Sequence, residues 1–187
     1  MDRIQEILDF WFLPENHADY GKPRKVWFQK DADFDAEIRS RFLDDFENAE
    51  AGRYLDWAES ARGSLALIIL FDQFTRNMFR VSPRAFAADG KAREIARHML
   101  SRGFYDELNT TQKQFAALPF EHSEDIEDQK LSLRLFKQLG SDELVDYAER
   151  HYDIIEKFGR FPHRNKQLNR QSTKEEEAFL KKPNSSF

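Results

Sequence analysis

Asp72, Gln73, Arg76, Asn77 and Arg80 fall within the single stretch DQFTRNMFR, and every one of these side chains donates or accepts hydrogen bonds. On a helix, positions 72, 76 and 80 lie one above another, with 73 and 77 beside them. Two guanidiniums on such a stripe offer a planar, bidentate anchor for a carboxylate or phosphate. The same spacing also makes an ordinary i,i+4 pair between Asp72 and Arg76, with cations placed where a helix C-terminus favours them.

Two further stretches are as dense. In LPFEHSED (118–125), Glu121 and His122 are adjacent, either a general acid/base pair or a carboxylate that holds His122 or a nearby arginine in place. Ser123 has a structural role available as a helix cap. In FGRFPHRN (158–165), Arg160, His163, Arg164 and Asn165 sit on a backbone that Gly159 loosens and Pro162 fixes. A solvated linker needs neither two phenylalanines nor that density of donors, so the segment reads as a shaped, partly buried loop of the kind that carries binding sites. His151 lies three residues after Ala148 and four before Ile155, on the apolar face of the preceding helix. There a hydrogen-bonded core residue is the commoner reading and a ligand the rarer one.

As an enzyme, the chain would use His122 or His163 as general acid/base and Glu121 to orient it. Asp72, Gln73, Arg76, Asn77, Arg80, His151, Arg160, Arg164 and Asn165 would then line a ligand pocket, with the arginines stabilising negative charge. Metal coordination by His122, His151 and His163 with Glu121 or Asp72 is conceivable. No pair has the i,i+4 spacing of an HExxH site, however, so no metal is expected. No serine-nucleophile motif, phosphate-binding glycine loop or dinucleotide fingerprint is present, and no cofactor is expected.

The elements that must position these residues read almost entirely as helix. Ile4, Ile7, Leu8 and Trp11 follow the i, i+3, i+4, i+7 pattern of a first helix that Pro14 ends. Val26-Trp27-Phe28 reads as an anchoring patch. Phe34, Ile38, Phe42 and Phe46 mark a second helix with Gly52 at its C-terminal cap. Residues 65–71 are apolar nearly all round, which predicts a central helix covered on every side. Ser82-Pro83 opens a stretch that stops at Gly103, and a shorter helix carries Phe115 and Leu118. Ser123 caps a helix to Gly140, Ser141-Asp142 opens one ending at Gly159, and Ser172 with Glu175 forms a capping box for the last. About eight helices with short connections predict one all-α domain over 1–180, a bundle followed by a frayed tail over 181–187.

Composition limits the partners. The 187 residues are 34% charged and 40% hydrophobic, with eighteen phenylalanines and only seven glycines, which favours helix with large core side chains. A net charge of −5 gives no support for nucleic acid as partner. There is no cysteine for a disulfide or thiolate site, no apolar run of about 18 residues to span a bilayer, and no signal-peptide core. A cytoplasmic location is expected.

The strings LALIILFDQFTRNMFR (65–80), LPFEHSED (118–125), YAERHYDIIEKFGRFPHRN (147–165) and STKEEEAFL (172–180) resemble, in this order, the uncharacterised domain-of-unknown-function family 924. The resemblance implies an all-helical fold with stacked helix pairs similar to a tetratricopeptide-like superhelix, and no established activity. Its characteristic polar positions correspond to the residues named above, together with Pro119, Ser123 and Pro162. Thr75 departs from the pattern, standing where proline is expected, which implies a more regular helix there. The three polar stretches are expected to converge on one phenylalanine-lined pocket for a small anionic molecule. The alternatives are a protein-interaction scaffold with a protein partner in a helical groove, and a self-satisfied buried ion network that binds nothing.

Overall fold

The computed structural model describes residues 2–183, 185 and 186. Among the described residues there is no strand: the elements are α helices and short 3₁₀ turns, with one π-helical segment. The all-α expectation holds. No helix among them is long and apolar enough to cross a membrane. Within the expected span 1–180, packing distinguishes two compact units. One comprises the chain up to Arg80 with Arg84–Pro119, and the other comprises Val81–Pro83 with the chain from Phe120 on.

The first unit is built on aromatic side chains. Helix α1 (Arg3–Phe12) is capped by Asp2, whose carboxylate accepts from the Ile4 N–H, and it buries Ile7, Leu8, Trp11 and Phe12. Helix α2 (Ala32–Glu50) is capped by Asp31 and buries Ile38, Phe42 and Phe46 on one face. Phe10, Phe34, Phe42, Phe74, Trp11 and Phe115 interlock with ring centroids 4.8–6.2 Å apart, mostly tilted or edge-on as their quadrupoles prefer. The anchoring patch is split. Trp27 packs on Trp11 and Phe115, and Phe28 is two-thirds exposed.

Helix α3 (Ala61–Ile68) is followed without a break by the π segment Ile69–Phe74 and by α4 (Thr75–Met78). Residues 63–75 are all buried, as a helix apolar on every side demands. The regularity expected from Thr75 does not extend through this stretch. The helix widens to π winding immediately before it, and the Thr75 hydroxyl donates to the Phe71 carbonyl at 2.8 Å. Gly63 lies against the 3₁₀ turn Leu55–Glu59, where a Cβ would overlap the Trp57 carbonyl group. Helix α5 (Asp89–Ser101) begins later than Ser82-Pro83 implied, since Pro83–Phe86 forms a separate 3₁₀ turn. Helix α6 (Thr110–Glu121) carries Phe115 and continues past Pro119.

The second unit centres on a helical hairpin. Helix α7 (Ile126–Gln138) packs along α8 (Asp142–Phe158) across a turn at Gly140, φ +72°, with Ser141 capping α8 as expected. Ile154, Ile155 and Phe161 form its core with Ile126, Phe158 and Phe179 against them. Two caps differ from the sequence reading by a residue or two. Asp125, rather than Ser123, caps α7 by accepting from the Glu127 N–H, while the Ser123 hydroxyl donates to Asp128 at 2.7 Å and accepts from the Asp125 N–H. The capping box of α9 (Lys174–Leu180) is Thr173 with Glu176, one position beyond Ser172 and Glu175. In the segment expected to fray, Ser185 is buried and donates to the Leu180 carbonyl, while 184 and 187 lie outside the described residues.

Candidate functional site

The 72–80 stretch lies in the first unit, and its polar groups are matched there. Asp72 is fully buried at the π segment, accepts from Gln73 Nε2 at 2.5 Å and lies 3.2 Å from Arg76 Nη1. The other side of Arg76 faces Asp89, at 3.1 and 3.2 Å from its two oxygens. Burial lowers the Arg76 pKa, but Asp72 and Asp89 raise it more, so the net shift is upward. Arg80 and Asn77 both donate to Asp35, with Asn77 Nδ2 at 2.7 Å. Each carboxylate arrives from outside the stretch or from its own helix. The arrangement, three carboxylates around two guanidiniums, is a clamp that fixes α4 against α2 and α5.

A cleft of ≈ 440 Å³ also opens in the first unit, among Leu8, Phe12, Tyr20, Arg62, Asn109 and Gln112. None of the sequence-predicted site residues lines it. Its amides are spent on one another's neighbours, Asn109 and Gln112 both donating to the Tyr20 hydroxyl at 3.3 and 3.2 Å. Its chemistry is that of a solvated seam.

In the second unit the other two polar stretches meet. Helix α6 ends at Glu121 and the chain turns at His122. Inside a helix, neighbouring residues would diverge by about 100°. The turn removes that divergence, and both side chains reach His151 of α8. Donor atoms of Glu121, His122 and His151 lie within 4.8 Å of one another. Glu121 Oε1 is 3.6 Å from His151 Nδ1, and the two imidazole rings are 6.2 Å apart. The turn is held from behind by α7. Gln129 Nε2 donates to the carbonyls of Glu121 at 2.6 Å and Ser123 at 2.7 Å, satisfying acceptors that a helix C-terminus leaves open.

The 158–165 loop completes the surroundings. Gly159 ends α8 at φ +66°, a left-handed position that glycine adopts without strain. Arg160 donates to both oxygens of Glu176, which also accepts from the Thr173 N–H at 2.7 Å. These bonds, Arg160 first, hold the Glu176 pKa down at about 2. Asn165 is fully buried between Ser172, Glu176 and Arg170. Glu124 receives the Phe161 N–H at 2.8 Å and a two-pronged contact from Arg170 at 2.7 and 2.9 Å. The loop's polar density thus has a large structural component. Two residues remain turned to the histidine cluster. Phe161 is the ring between them, 5.6 Å from both His151 and His163, with the Arg164 guanidinium 4.5 Å over its face.

Electrostatics set the state of these rings. Burial, then the neighbouring His122, pushes the His151 pKa from 6.5 to about 3, and burial with Arg164 pushes His163 to about 4. Both are neutral near pH 7, so the 3.6 Å approach of His151 to Glu121 is a dipolar contact and not an ion pair. His151 Nδ1 is 2.8 Å from the Tyr147 carbonyl, which only accepts. The proton is therefore on Nδ1, and Nε2 is the accepting nitrogen of the ring. Glu121 and His151 are almost completely buried, and His122 is half-buried.

Asp35, Asp89, Glu124, Asp128, Gln129, Arg170 and Glu176 hold these side chains and were not singled out from sequence. Nothing local marks Arg170 as the partner of a residue 46 positions away.

The sequence pattern of a family described as "Bacterial protein of unknown function (DUF924)" matches residues 7–184. A solved structure, the protein of unknown function ATU0120 from Agrobacterium tumefaciens, is similar with a TM-score of 0.87 and 39% identity, covering 95% of this chain and 96% of that one. No curated protein matches the chain. With the match spanning nearly the whole sequence, the chain belongs to the DUF924 family.

Proposed function

We propose that the chain binds a small anionic molecule, a low-mass carboxylate or phosphate, at the Glu121–His122–His151 cluster, with Arg164 as the cationic group. One observation carries the reading: three donor side chains, two from the end of α6 and one from the middle of α8, come within 4.8 Å of one another beside a loop braced by Glu124 and Arg170. Polar groups fixed by their own supports, in a largely desolvated setting, are what ligand recognition uses. Arg164 is the guanidinium whose charge acts on both His151 and His163, whereas Arg76, Arg80 and Arg160 lie against Asp72, Asp35 and Glu176. The reading stops at binding. A ring with a pKa near 4 is protonated in only ~0.1% of molecules at pH 7, so His163 is poorly suited to give up a proton there.

The test is a thermal-shift screen of phosphates and carboxylates on wild type and Arg164→Gln. A ligand at a hundred times its Kd stabilises by ~2.7 kcal/mol. The expected result is a shift in wild type that Arg164→Gln abolishes. Equal shifts in both proteins, or none in wild type, would refute the reading. For residues 72–80 a second reading is favoured, that of a structural ion network, because Arg76 is bracketed by Asp72 and Asp89.

A further inference from the structure

We infer that Glu121, His122 and His151 together bind one divalent first-row transition ion, with zinc the best fit to the donor set. The inference rests on the reading of this cluster as a ligand site and names what holds the anion there.

Two imidazoles and one carboxylate are the donors that borderline cations such as zinc select, and three protein ligands leave a position open for an exogenous oxygen. Donors ~2.1 Å from a tetrahedral ion stand ~3.4 Å apart. Atoms already within 4.8 Å of one another have little distance to close. His122, half-buried and on a turn, is the residue with room to move. His151 is pre-set: its Nδ1 proton is committed to the Tyr147 carbonyl, the outer contact that fixes tautomer and ring orientation in histidine–metal sites. Gln129 plays the equivalent part for the turn by holding the Glu121 and Ser123 carbonyls.

Charge balance points the same way. Arg164 supplies one positive charge beside the cluster, and a divalent ion bound there adds two more. A carboxylate or phosphate oxygen would then have a site to occupy.

The experiment uses untagged full-length protein stripped with a chelator. Isothermal titration with Zn²⁺ should give one ion per chain, and Co²⁺ should give visible d–d absorption that Zn²⁺ bleaches. His122→Ala and Glu121→Gln, with folding checked by circular dichroism, should weaken Zn²⁺ binding by more than the ~10–100-fold that loss of an outer partner costs. His17→Ala/His98→Ala should leave it unchanged. Zinc binding of undiminished affinity in folded His122→Ala, or no saturable binding by wild type, overturns the inference. The anion screen is repeated in chelator. A shift that survives there, without zinc binding, sinks the metal and spares the anion reading, whereas zinc binding without any anion shift supports the metal and sinks the anion reading.

Discussion

His163 and Asp89 show how far single residues can be read before their neighbours are known. His163 stands in a loop whose composition announces a site, and its ring is visible in the sequence as a titratable group. What could not be read is that burial and Arg164 pull its pKa to about 4. The folded value lies below the unfolded ~6.5. The unfolded chain therefore binds the extra proton, and the ring's contribution to stability is present above pH ~6.5 and lost as pH falls toward 4, with a slope approaching ~1.4 kcal/mol per pH unit. Urea denaturation between pH 7 and 4 should show this loss together with the one from His151, and His163→Asn should reduce the slope by about half. An unchanged slope in the variant would mean that the ring is not neutral in the fold. Asp89 is the opposite case, a residue with no local signal that turns a common i,i+4 pair into a bracket around Arg76. Asp72→Ala should cost ~3–5 kcal/mol, the usual result of stranding a buried charge, and should leave anion and zinc binding intact. A loss of ligand binding in a folded Asp72→Ala protein would return this stretch to the site.

At the level of elements, apolar spacing was the reliable signal. It located α1, α2, the buried 65–71 run and α8, because the burial of a helical stripe is encoded every three or four residues. Caps were legible to within one or two positions, since Ser, Thr and Asp compete for the same role: Asp125 takes the Glu127 N–H, and the Ser123 hydroxyl takes the Asp125 N–H just before it. The meeting of Glu121, His122 and His151 was not legible, because it depends on where α6 stops and on how α7 folds back along α8. Glycines give a sharper test. Gly63→Ala would press a methyl into the Trp57 carbonyl, whose carbon lies 2.8 Å away, and backbone cannot yield as a side chain does. A loss of at least ~2–3 kcal/mol in chemical denaturation is expected. Gly159→Ala meets nothing within 4 Å and suffers only the left-handed φ of +66°, worth ~1–2 kcal/mol. The reverse ranking would show that the α3 contact with the 55–59 turn is loose.

For the whole chain, net charge of −5 and a pI near 5.6 mean that electrostatic repulsion between molecules vanishes in the same range where His163 begins to charge. Light scattering should therefore peak between pH 5 and 6 and be lowest near pH 8, and scattering that does not vary with pH would show that neither effect matters. The π segment at Ile69–Phe74 has a consequence on this scale too. A π turn is equivalent to one extra residue held inside an otherwise α-helical rod. It keeps the rotational phase between the half that packs the core and the half that carries Arg76, Asn77 and Arg80. Deleting one residue from this segment would restore even winding and leave the downstream side chains nearly in phase, still facing Asp89 and Asp35, whereas a deletion in the regular winding of α3 would turn them by about 100°. The wide turn is a slack loop in the rod, and a relative one residue shorter there would keep the same acids for the same arginines.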